Sequence, residues 1–596
     1  MEKQDLQTMR HSASHLLATA VMELWPNTKL AIGPAIENGF YYDFDFLNPV
    51  SEADFPKIEA KMAEIKAKNL DFTKKDVSIE EAKKLFSNQP YKLELVDELA
   101  KIEGVKLSDL QGVKLNIYKM ENFIDLCKGP HVEKGSDIGP IKLLSLAGAY
   151  WRGSEKNKML TRVYGTCFPT QKELDDYLNF LEEAKKRDHR TIGKELDLFS
   201  IDDYVGPGLI LWHPKLSIVR EEIELYWRKQ HRKHGYQYVY TPHVGLDNLW
   251  KTSGHLDFFK EGMFPLMAME LKNKEERGSY YIKPMNCPFH VRIFKSRTRS
   301  YRDLPLRWCE LGSVYRYEES GVLHGMLRVR GFTQDDAHII CREDQFVEEV
   351  NQILDFALEL NHDFGFDNLN VYLSTRDREN LSKYVGEEKV WQLAEKTLKE
   401  ILEKRKISYK EDIGGAKFYG PSIDLKAVDA LGREWQGTTI QLDMNLPAKF
   451  GMVYVGEDGK EHVPVMIHRT LLGAMERFVG TLIEHYAGAF PVWLAPVQVK
   501  IIPISDKSLD YAQKIKEKLF SEEIRVEVDD RSERMQAKIR DAEKEKVPYM
   551  LVVGPKEAES ESVSVRVRGE KDLGLMSFDQ FLALIKEDIA KKRQVC

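Results

Sequence analysis

Apolar and polar positions change rhythm several times along the 596 residues. Met9 to Leu24 keeps helical spacing, which puts His11 and His15, four apart, on one face. A second helical stretch starts near Thr170, acidic first and then basic, and ends in Lys185-Lys186-Arg187-Asp188-His189-Arg190, where cations suit the helix dipole. That stretch predicts a linker helix. Ile218 to Arg232 predicts another helix, followed by the short run Tyr238 to Tyr240. Two apolar runs, Leu306 to Tyr317 and Met326 to Cys341, flank the polar, glycine-containing Glu318 to Gly325 and predict a β-hairpin with a long tip. From Pro496 onward short apolar strands alternate with helices: Val497 to Ile504, Leu509 to Phe520, Ile524 to Val528, Ala537 to Lys546, Tyr549 to Val553, Ser562 to Arg568 and Phe578 to Ala590. This alternation predicts an α/β unit with a parallel or mixed sheet.

The length suggests three to five domains, and 42% hydrophobic content supports folded cores. No apolar run approaches membrane-spanning length. The start, Met1-Glu-Lys-Gln-Asp, lacks the plan of a signal peptide. Six cysteines (127, 167, 287, 309, 341 and 596) are too few for a disulfide framework, which predicts a reducing, cytoplasmic setting. A formal charge of -7 gives no global nucleic-acid signature, because phosphate contacts depend on local Lys and Arg.

Candidate chemistry is concentrated in two constellations. Cys287, His338 and His468 each lie in a block rich in arginines and acids: Ile282-Lys-Pro-Met-Asn-Cys-Pro-Phe-His290, Arg328-Val-Arg-Gly-Phe-Thr-Gln-Asp-Asp-Ala-His338 and Pro464-Val-Met-Ile-His-Arg-Thr-Leu-Leu-Gly-Ala-Met-Glu-Arg477. A lone Cys or His is ordinarily a core residue. Three such ligands, if the fold converges them, leave one zinc position open for substrate. Arg316, Arg328, Arg330 and Arg477 are available to grip phosphate. The second constellation pairs His11-Ser-Ala-Ser-His15 with Asp125-Leu-Cys127-Lys-Gly-Pro-His131, the latter broken by Gly129-Pro130 and therefore a turn. Those four groups could bind zinc or act as acid and base without it.

The block from Leu306 to Cys341 resembles motif 2 of the class II aminoacyl-tRNA synthetases, His468 to Phe478 resembles motif 3, and His234-Gly-Tyr-Gln-Tyr-Val-Tyr-Thr-Pro242 resembles motif 1. With Cys287, His338 and His468 in these places, the chain resembles the bacterial threonyl-tRNA synthetase family over essentially its whole length. The HxxxH and CxxxH pair resembles that family's editing domain and, more distantly, that of alanyl-tRNA synthetases. The resemblance implies a multidomain α+β and α/β protein: an α+β editing domain (1–168) that deacylates Ser-tRNA, a linker helix (169–193), a class II catalytic domain with an antiparallel sheet (194–495) and an α/β anticodon-binding domain (496–596).

It further implies ligation of L-threonine to tRNA(Thr) with ATP through threonyl-adenylate, Mg²⁺ with the ATP, one zinc per subunit and a homodimer meeting at motif 1. Carried over onto this sequence, Arg316 grips the α-phosphate, Glu318 meets the adenine amino group, Phe332 stacks on adenine and Arg477 holds the γ-phosphate, with Arg328, Gln436 and Thr439 also at ATP. Gln334, Asp336, Tyr419, Gln436 and Gln441 are implied at the amino acid. Editing falls to His11, His15, Lys92, Asp125, Cys127 and His131 with Tyr42 close by, and anticodon reading to Ser532, Lys546, Glu557 and Arg566. No P-loop or GxGxxG occurs, in keeping with a class II site for ATP. A double sieve follows physically. A site that coordinates a hydroxyl rejects valine, whereas one missing methyl, as in serine, costs only about 1 to 3 kcal/mol.

Two departures stand out. Where the family reads Phe-Tyr-Gly-Pro-Lys, this chain has Phe418-Tyr-Gly-Pro-Ser422, and Lys426 is the nearby lysine on the same strand face. The small N-terminal module of many relatives is missing ahead of the editing domain. These departures allow a second expectation, a synthetase-like RNA-binding or regulatory protein, against which the complete set of arginines and ligands argues.

Overall fold

A computed structural model describes residues 3–102, 114–254, 256, 259–268, 279–569 and 571–594. They fall into two compact units, Met1–Glu182 and Glu183–Cys596.

In the first unit helix α1 (Lys3–Leu24) packs its apolar face, including Met9, Ala13, Leu16, Leu17 and Val21, into a core shared with strand β1 (Gly39–Asp45). Further along come α2 (Pro90–Ile102), β2 (Lys114–Met120), β3 (Phe123–Leu126), β4 (Ile141–Tyr150), β5 (Met159–Cys167) and α3 (Gln171–Lys186). Strands β1, β5 and β4 run side by side and antiparallel, and β2 and β3 belong to a separate three-stranded sheet. The expected linker helix is two helices, α3 and α4 (His189–Glu195), because Asp188 caps the second by accepting the Arg190 N–H.

The second unit is built on α5 (Pro214–Lys233) and an eight-stranded sheet. Its elements in chain order are β6 (Gln237–Tyr238), α6 (Cys287–Phe294), β7 (Leu306–Tyr315), β8 (Gly331–Cys341), α7 (Phe346–Asp363), β9 (Leu369–Thr375), β10 (Lys410–Ile413), β11 (Ser422–Val428), β12 (Glu434–Asp443), β13 (Val465–Thr470) and α8 (Met475–Tyr486). The strand order is β6-β7-β8-β13-β12-β11-β9-β10, antiparallel except for parallel pairs at both edges. The β7–β8 hairpin is present, but its tip runs from Arg316 to Arg330, longer than the apolar pattern predicts. Arg330 Nε donates to the Glu318 carbonyl at 2.8 Å and Arg328 pairs with Glu318, so polar residues fold the tip back on itself instead of extending the ladder.

The C-terminal segment adds β14 (Val499–Pro503), β15 (Val526–Val528), α9 (Met535–Lys544), β16 (Tyr549–Val553), α10 (Pro555–Glu559), β17 (Ser562–Val567) and β18 (Lys571–Ser577). Their sheet, in the order β15-β14-β16-β17-β18, is parallel on one side and antiparallel on the other, the mixed sheet expected from the alternation.

Alternation along β8 explains how the large sheet presents a site. Thr333, Asp335, Ala337 and Ile339 are buried on its helix side, while Phe332, Gln334, Asp336 and His338 face a cavity. Asp335 anchors this arrangement. One carboxylate oxygen accepts Trp227 Nε1 of α5 at 2.7 Å and Arg469 Nη1 at 3.0 Å, and the other accepts the N–H groups of Leu471 and Leu472, both at 2.7 Å. Asp335→Ala strands the buried Arg469 charge and two backbone donors. Loss of about 3–5 kcal/mol in denaturant unfolding is expected, and an unchanged midpoint would contradict this role.

Candidate active sites

A cavity of about 650 Å³ opens on the exposed face of the large sheet. Cross-strand register assembles its floor. Ser422 lies opposite Gln441, Gln441 opposite His468, and His468 opposite His338, so one row crosses β11, β12, β13 and β8. Cys287 joins from the first turn of α6, and its sulfur and one nitrogen of each histidine all lie within 4.8 Å of one another. All three residues are buried. Burial pushes the Cys287 thiol well up and His338 well down, so without a cation the set is a neutral thiol and a neutral imidazole. Sulfur and imidazole ligands of this kind fit zinc with a fourth position free.

Arg316 and Arg477 line the same cavity, and neither has a carboxylate partner among the described residues. Arg316 Nε donates to the Pro284 carbonyl at 3.4 Å with its guanidinium 5.2 Å from the Phe332 ring centroid, and Arg477 Nε donates to the Leu327 carbonyl at 3.1 Å. Burial lowers the pKa of both guanidiniums. Two desolvated cations that lack a contact ion pair make an anion site, with Glu318 acting on both from farther away.

Phe332, Gln334, Asp336, Tyr419, Gln436, Thr439 and Gln441 also line the cavity. Asp336 accepts the Asn286 amide at 3.0 Å, and burial raises its pKa. Gln441 donates to the Gly420 carbonyl at 3.1 Å. Glu318 and Arg328 do not line it. Both Arg328 Nε and Nη2 donate to one Glu318 oxygen, at 3.0 and 2.9 Å, so the two residues engage each other on the hairpin tip.

Ser422 is buried with its hydroxyl 2.9 Å from Asp424, a residue that the sequence reading missed. Asp424 also accepts from Ser374 at 2.7 Å, Gln436 at 2.8 Å and Thr439 at 2.6 Å. Serine at 422 thus completes a shell of four neutral donors around one carboxylate. Lys426 lines the cavity too, its ammonium 3.9 Å from the Tyr372 ring centroid.

The first unit holds the other constellation. His11 and His15 share a face of α1, and Cys127 Sγ lies 3.2 Å from His11 Nε2 and 3.3 Å from His131 Nε2. Gly129, with φ +73°, turns the chain there, and its N–H donates to Cys127 Sγ at 3.2 Å. His11 Nδ1 faces the Pro130 carbonyl at 3.2 Å, so that nitrogen carries the proton and Nε2 keeps its lone pair. Ser12 does the same for His131. Its hydroxyl donates to the Thr8 carbonyl and accepts the Val132 N–H, leaving it only an acceptor role toward His131 Nδ1 at 3.1 Å. Asp125 takes the Tyr42 hydroxyl at 2.6 Å, pairs with buried Lys92 and lies 3.5 Å from His15. Burial pushes the Cys127 thiol up to about 11 and His131 far down. All seven residues assigned to editing meet in one pocket, with Ser12 as an unforeseen member.

A third cluster, Asp188, His189 and Glu484, has metal-capable residues, but both nitrogens of its imidazole are engaged. His189 Nδ1 donates to Glu484 at 2.6 Å and Nε2 accepts the Met326 N–H at 3.0 Å, which pins the hairpin tip. A Cβ at Gly325, where φ is +48°, would lie 2.0 Å from that Nε2, so glycine is required.

The four residues assigned to the anticodon lie on different elements of the C-terminal segment. Ser532 and Glu557 follow the carboxyl ends of β15 and β16, whereas Lys546 precedes β16 and Arg566 pairs with Met550 near that strand's start. Glu557 spends one oxygen capping its own helix through the Gly554 N–H at 2.8 Å. Arg531 and Arg534 are exposed cations on either side of Ser532.

Three family models match this chain: the tRNA synthetase class II core domain (G, H, P, S and T) over 269–486, the anticodon binding domain over 498–588, and the threonyl and alanyl tRNA synthetase second additional domain over 115–164. A threonine-tRNA ligase of Sulfurihydrogenibium sp. is 52% identical over 594 residues, covering 99% of this chain and 90% of that one. One from Borreliella burgdorferi is 50% identical over 595 residues, covering 99% of each. The chain belongs to the threonine-tRNA ligase family. A solved RNA-binding domain of threonyl-tRNA synthetase from Cryptosporidium parvum shares 37% identity at a TM-score of 0.63, over 67% of this chain and 98% of that one. Membership of this family makes the chain an enzyme, with the class II core behind the large sheet and the second additional domain behind the histidine-cysteine pocket.

Beside Arg477, Glu476 in the first turn of α8 accepts the Thr333 N–H at 2.8 Å. Burial nonetheless pushes its carboxyl up to about 7, outweighing that bond and Arg220. A raised folded-state pKa means stability that is complete below the unfolded value near 4.5 and is lost as pH rises through 7. Glu476→Gln is expected to remove about 3 kcal/mol of pH dependence across that window, read as the difference between variant and parent unfolding curves. Parallel curves would refute it.

Proposed function

We propose that the cavity on the large sheet joins L-threonine to ATP and transfers the threonyl group to tRNA(Thr), with the first unit hydrolysing Ser-tRNA(Thr) made in error. The observation that carries the synthetic half is a single cavity in which Cys287, His338 and His468 lie beside two guanidiniums that form no contact ion pair among the described residues. A synthetase-like binding or regulatory protein is not favoured, because binding alone has no use for that combination.

In this reading the triad holds zinc, and zinc, when bound, supplies a Lewis-acidic position for the amino and hydroxyl groups of threonine. Gln334, Asp336, Tyr419 and Gln441 orient the amino acid. Arg316 neutralises the α-phosphate that the threonine carboxylate attacks, and Arg477 holds the departing pyrophosphate at its γ end, with Mg²⁺ sharing the charge. Phe332 stacks on the adenine, and Glu318 and Arg328 reach it once the hairpin tip rearranges around ATP. Gln436 and Thr439, held by Asp424, contact the nucleotide. Little covalent work by the protein is needed, since positioning and charge neutralisation carry phosphoryl-type chemistry. In the first unit, the Nε2 lone pairs of His11 and His131 and the Lys92–Asp125 pair are placed for acid and base work on the seryl ester. A twofold dimer through motif 1, tRNA contact by Ser532, Lys546, Glu557 and Arg566, a cytoplasmic setting and the four-part division at 168, 193 and 495 complete the proposal.

Threonine-dependent ATP-pyrophosphate exchange tests the synthetic site. Exchange is expected with threonine, more weakly with serine by roughly 10–200-fold, and not with valine. Cys287→Ala is expected to abolish it while thermal unfolding shifts little, and full exchange in that variant would sink the metal reading. For the other pocket, His131→Ala is expected to slow deacylation of Ser-tRNA(Thr) by roughly 10²–10⁴-fold. An unchanged hydrolysis rate would remove His131 from the chemistry.

A further inference from the structure

A buried file of hydrogen bonds lies behind the triad. His338 Nδ1 is 2.8 Å from His290 Nδ1, and His290 Nε2 is 3.0 Å from Glu310 Oε1. Glu310 in turn accepts the Thr241 hydroxyl at 2.8 Å and the Thr241 N–H at 3.2 Å, while Lys283 Nζ donates to that hydroxyl at 2.8 Å. His338, His290 and Glu310 are 1%, 0% and 4% exposed, so no water competes along the file.

The geometry of this file offers one proton order that leaves His338 ready for a metal. Thr241 receives a proton from Lys283 and therefore gives its own to Glu310. Glu310 accepts at every contact, so His290 Nε2 donates to it and His290 Nδ1 is the atom turned toward His338. A 2.8 Å nitrogen-to-nitrogen contact needs one proton between the rings, and placing it on His338 Nδ1 makes His290 the acceptor. The Nε2 lone pair of His338 is then the one left for a metal. His468 is set separately and with the opposite nitrogen, since its Nε2 donates to the buried Asp443 at 2.9 Å and leaves Nδ1 free.

We propose that His290 and Glu310 are positioning residues that fix the Nδ1–H tautomer and ring orientation of His338, and so set the affinity of the Cys287–His338–His468 centre for zinc. The inference rests on the reading of that triad as a zinc site. Neither residue faces the cavity, so they act only through His338. Outer-shell partners of metal-bound imidazoles typically change affinity by about 10–100-fold.

The test is zinc affinity of the full chain, measured by competition with a chromophoric chelator, together with the absorption spectrum of the cobalt-substituted protein. His290→Leu removes the acceptor and is expected to weaken zinc by roughly 10–100-fold and to shift the cobalt bands. His290→Asn places an amide oxygen near the Nδ1 position and is expected to restore most of the affinity and the parent spectrum. If the leucine variant does not fold, His290→Gln, whose amide reaches the Nε2 position instead, takes its place. Unchanged affinity in the leucine or glutamine variant overturns the inference and leaves the metal site standing. Equal loss in the asparagine variant also overturns it, since packing alone would then explain the effect. A parent protein that takes up no zinc overturns both, and is recognised before any variant is made.

Discussion

The buried carboxylate of Asp335 is the constraint from which the synthetic site follows. Its four donors come from α5, from β13 and from the turn that leads into α8. Together they lock the side of β8 that faces the helices. Because side chains on a strand alternate, locking that side fixes where Gln334, Asp336 and His338 point on the other. The same turn sets the start of α8 and therefore the place of Arg477. His338, Gln334, Asp336 and Arg477 are all indexed to one buried charged residue that does not itself line the cavity.

The two pockets use burial differently. Around Arg316 and Arg477, cations are desolvated without a contact ion pair, which raises their attraction for an anion. Around Cys127, charge is compensated internally by Lys92 and Asp125, and the imidazoles are kept neutral with lone pairs facing one sulfur. One arrangement waits for an anion and the other is poised to move protons.

Much of this was legible in the sequence because the signals were local. Alternation marked the C-terminal mixed sheet, apolar runs marked the β7–β8 hairpin, and thiol and imidazole groups in arginine-rich blocks marked the metal triad. The residues that escaped act through partners remote in sequence. Asp424 matters because strand pairing brings Ser374, Gln436 and Thr439 to it, and Glu310 because Thr241 lies 69 positions away. His290 had a local signal, since three residues after Cys287 on a helix is the same face, but its partner His338 is 48 positions on. The hairpin tip was misjudged because its polar self-contacts leave no periodicity.

Strand register also limits how chains of this design can vary in length. The row from Ser422 to His338 crosses four strands, and inserting one residue ahead of its member in any of them would turn that strand's ligand from the cavity into the core. Insertions and deletions are therefore excluded from β8, β11, β12 and β13 but harmless to the row between Arg316 and Arg330, where the ladder is already open. The sheet behaves as a ruler with graduations that cannot be moved, and a change of length at the hairpin tip would leave the row in place while displacing the Glu318–Arg328 pair and the Gly325 contact.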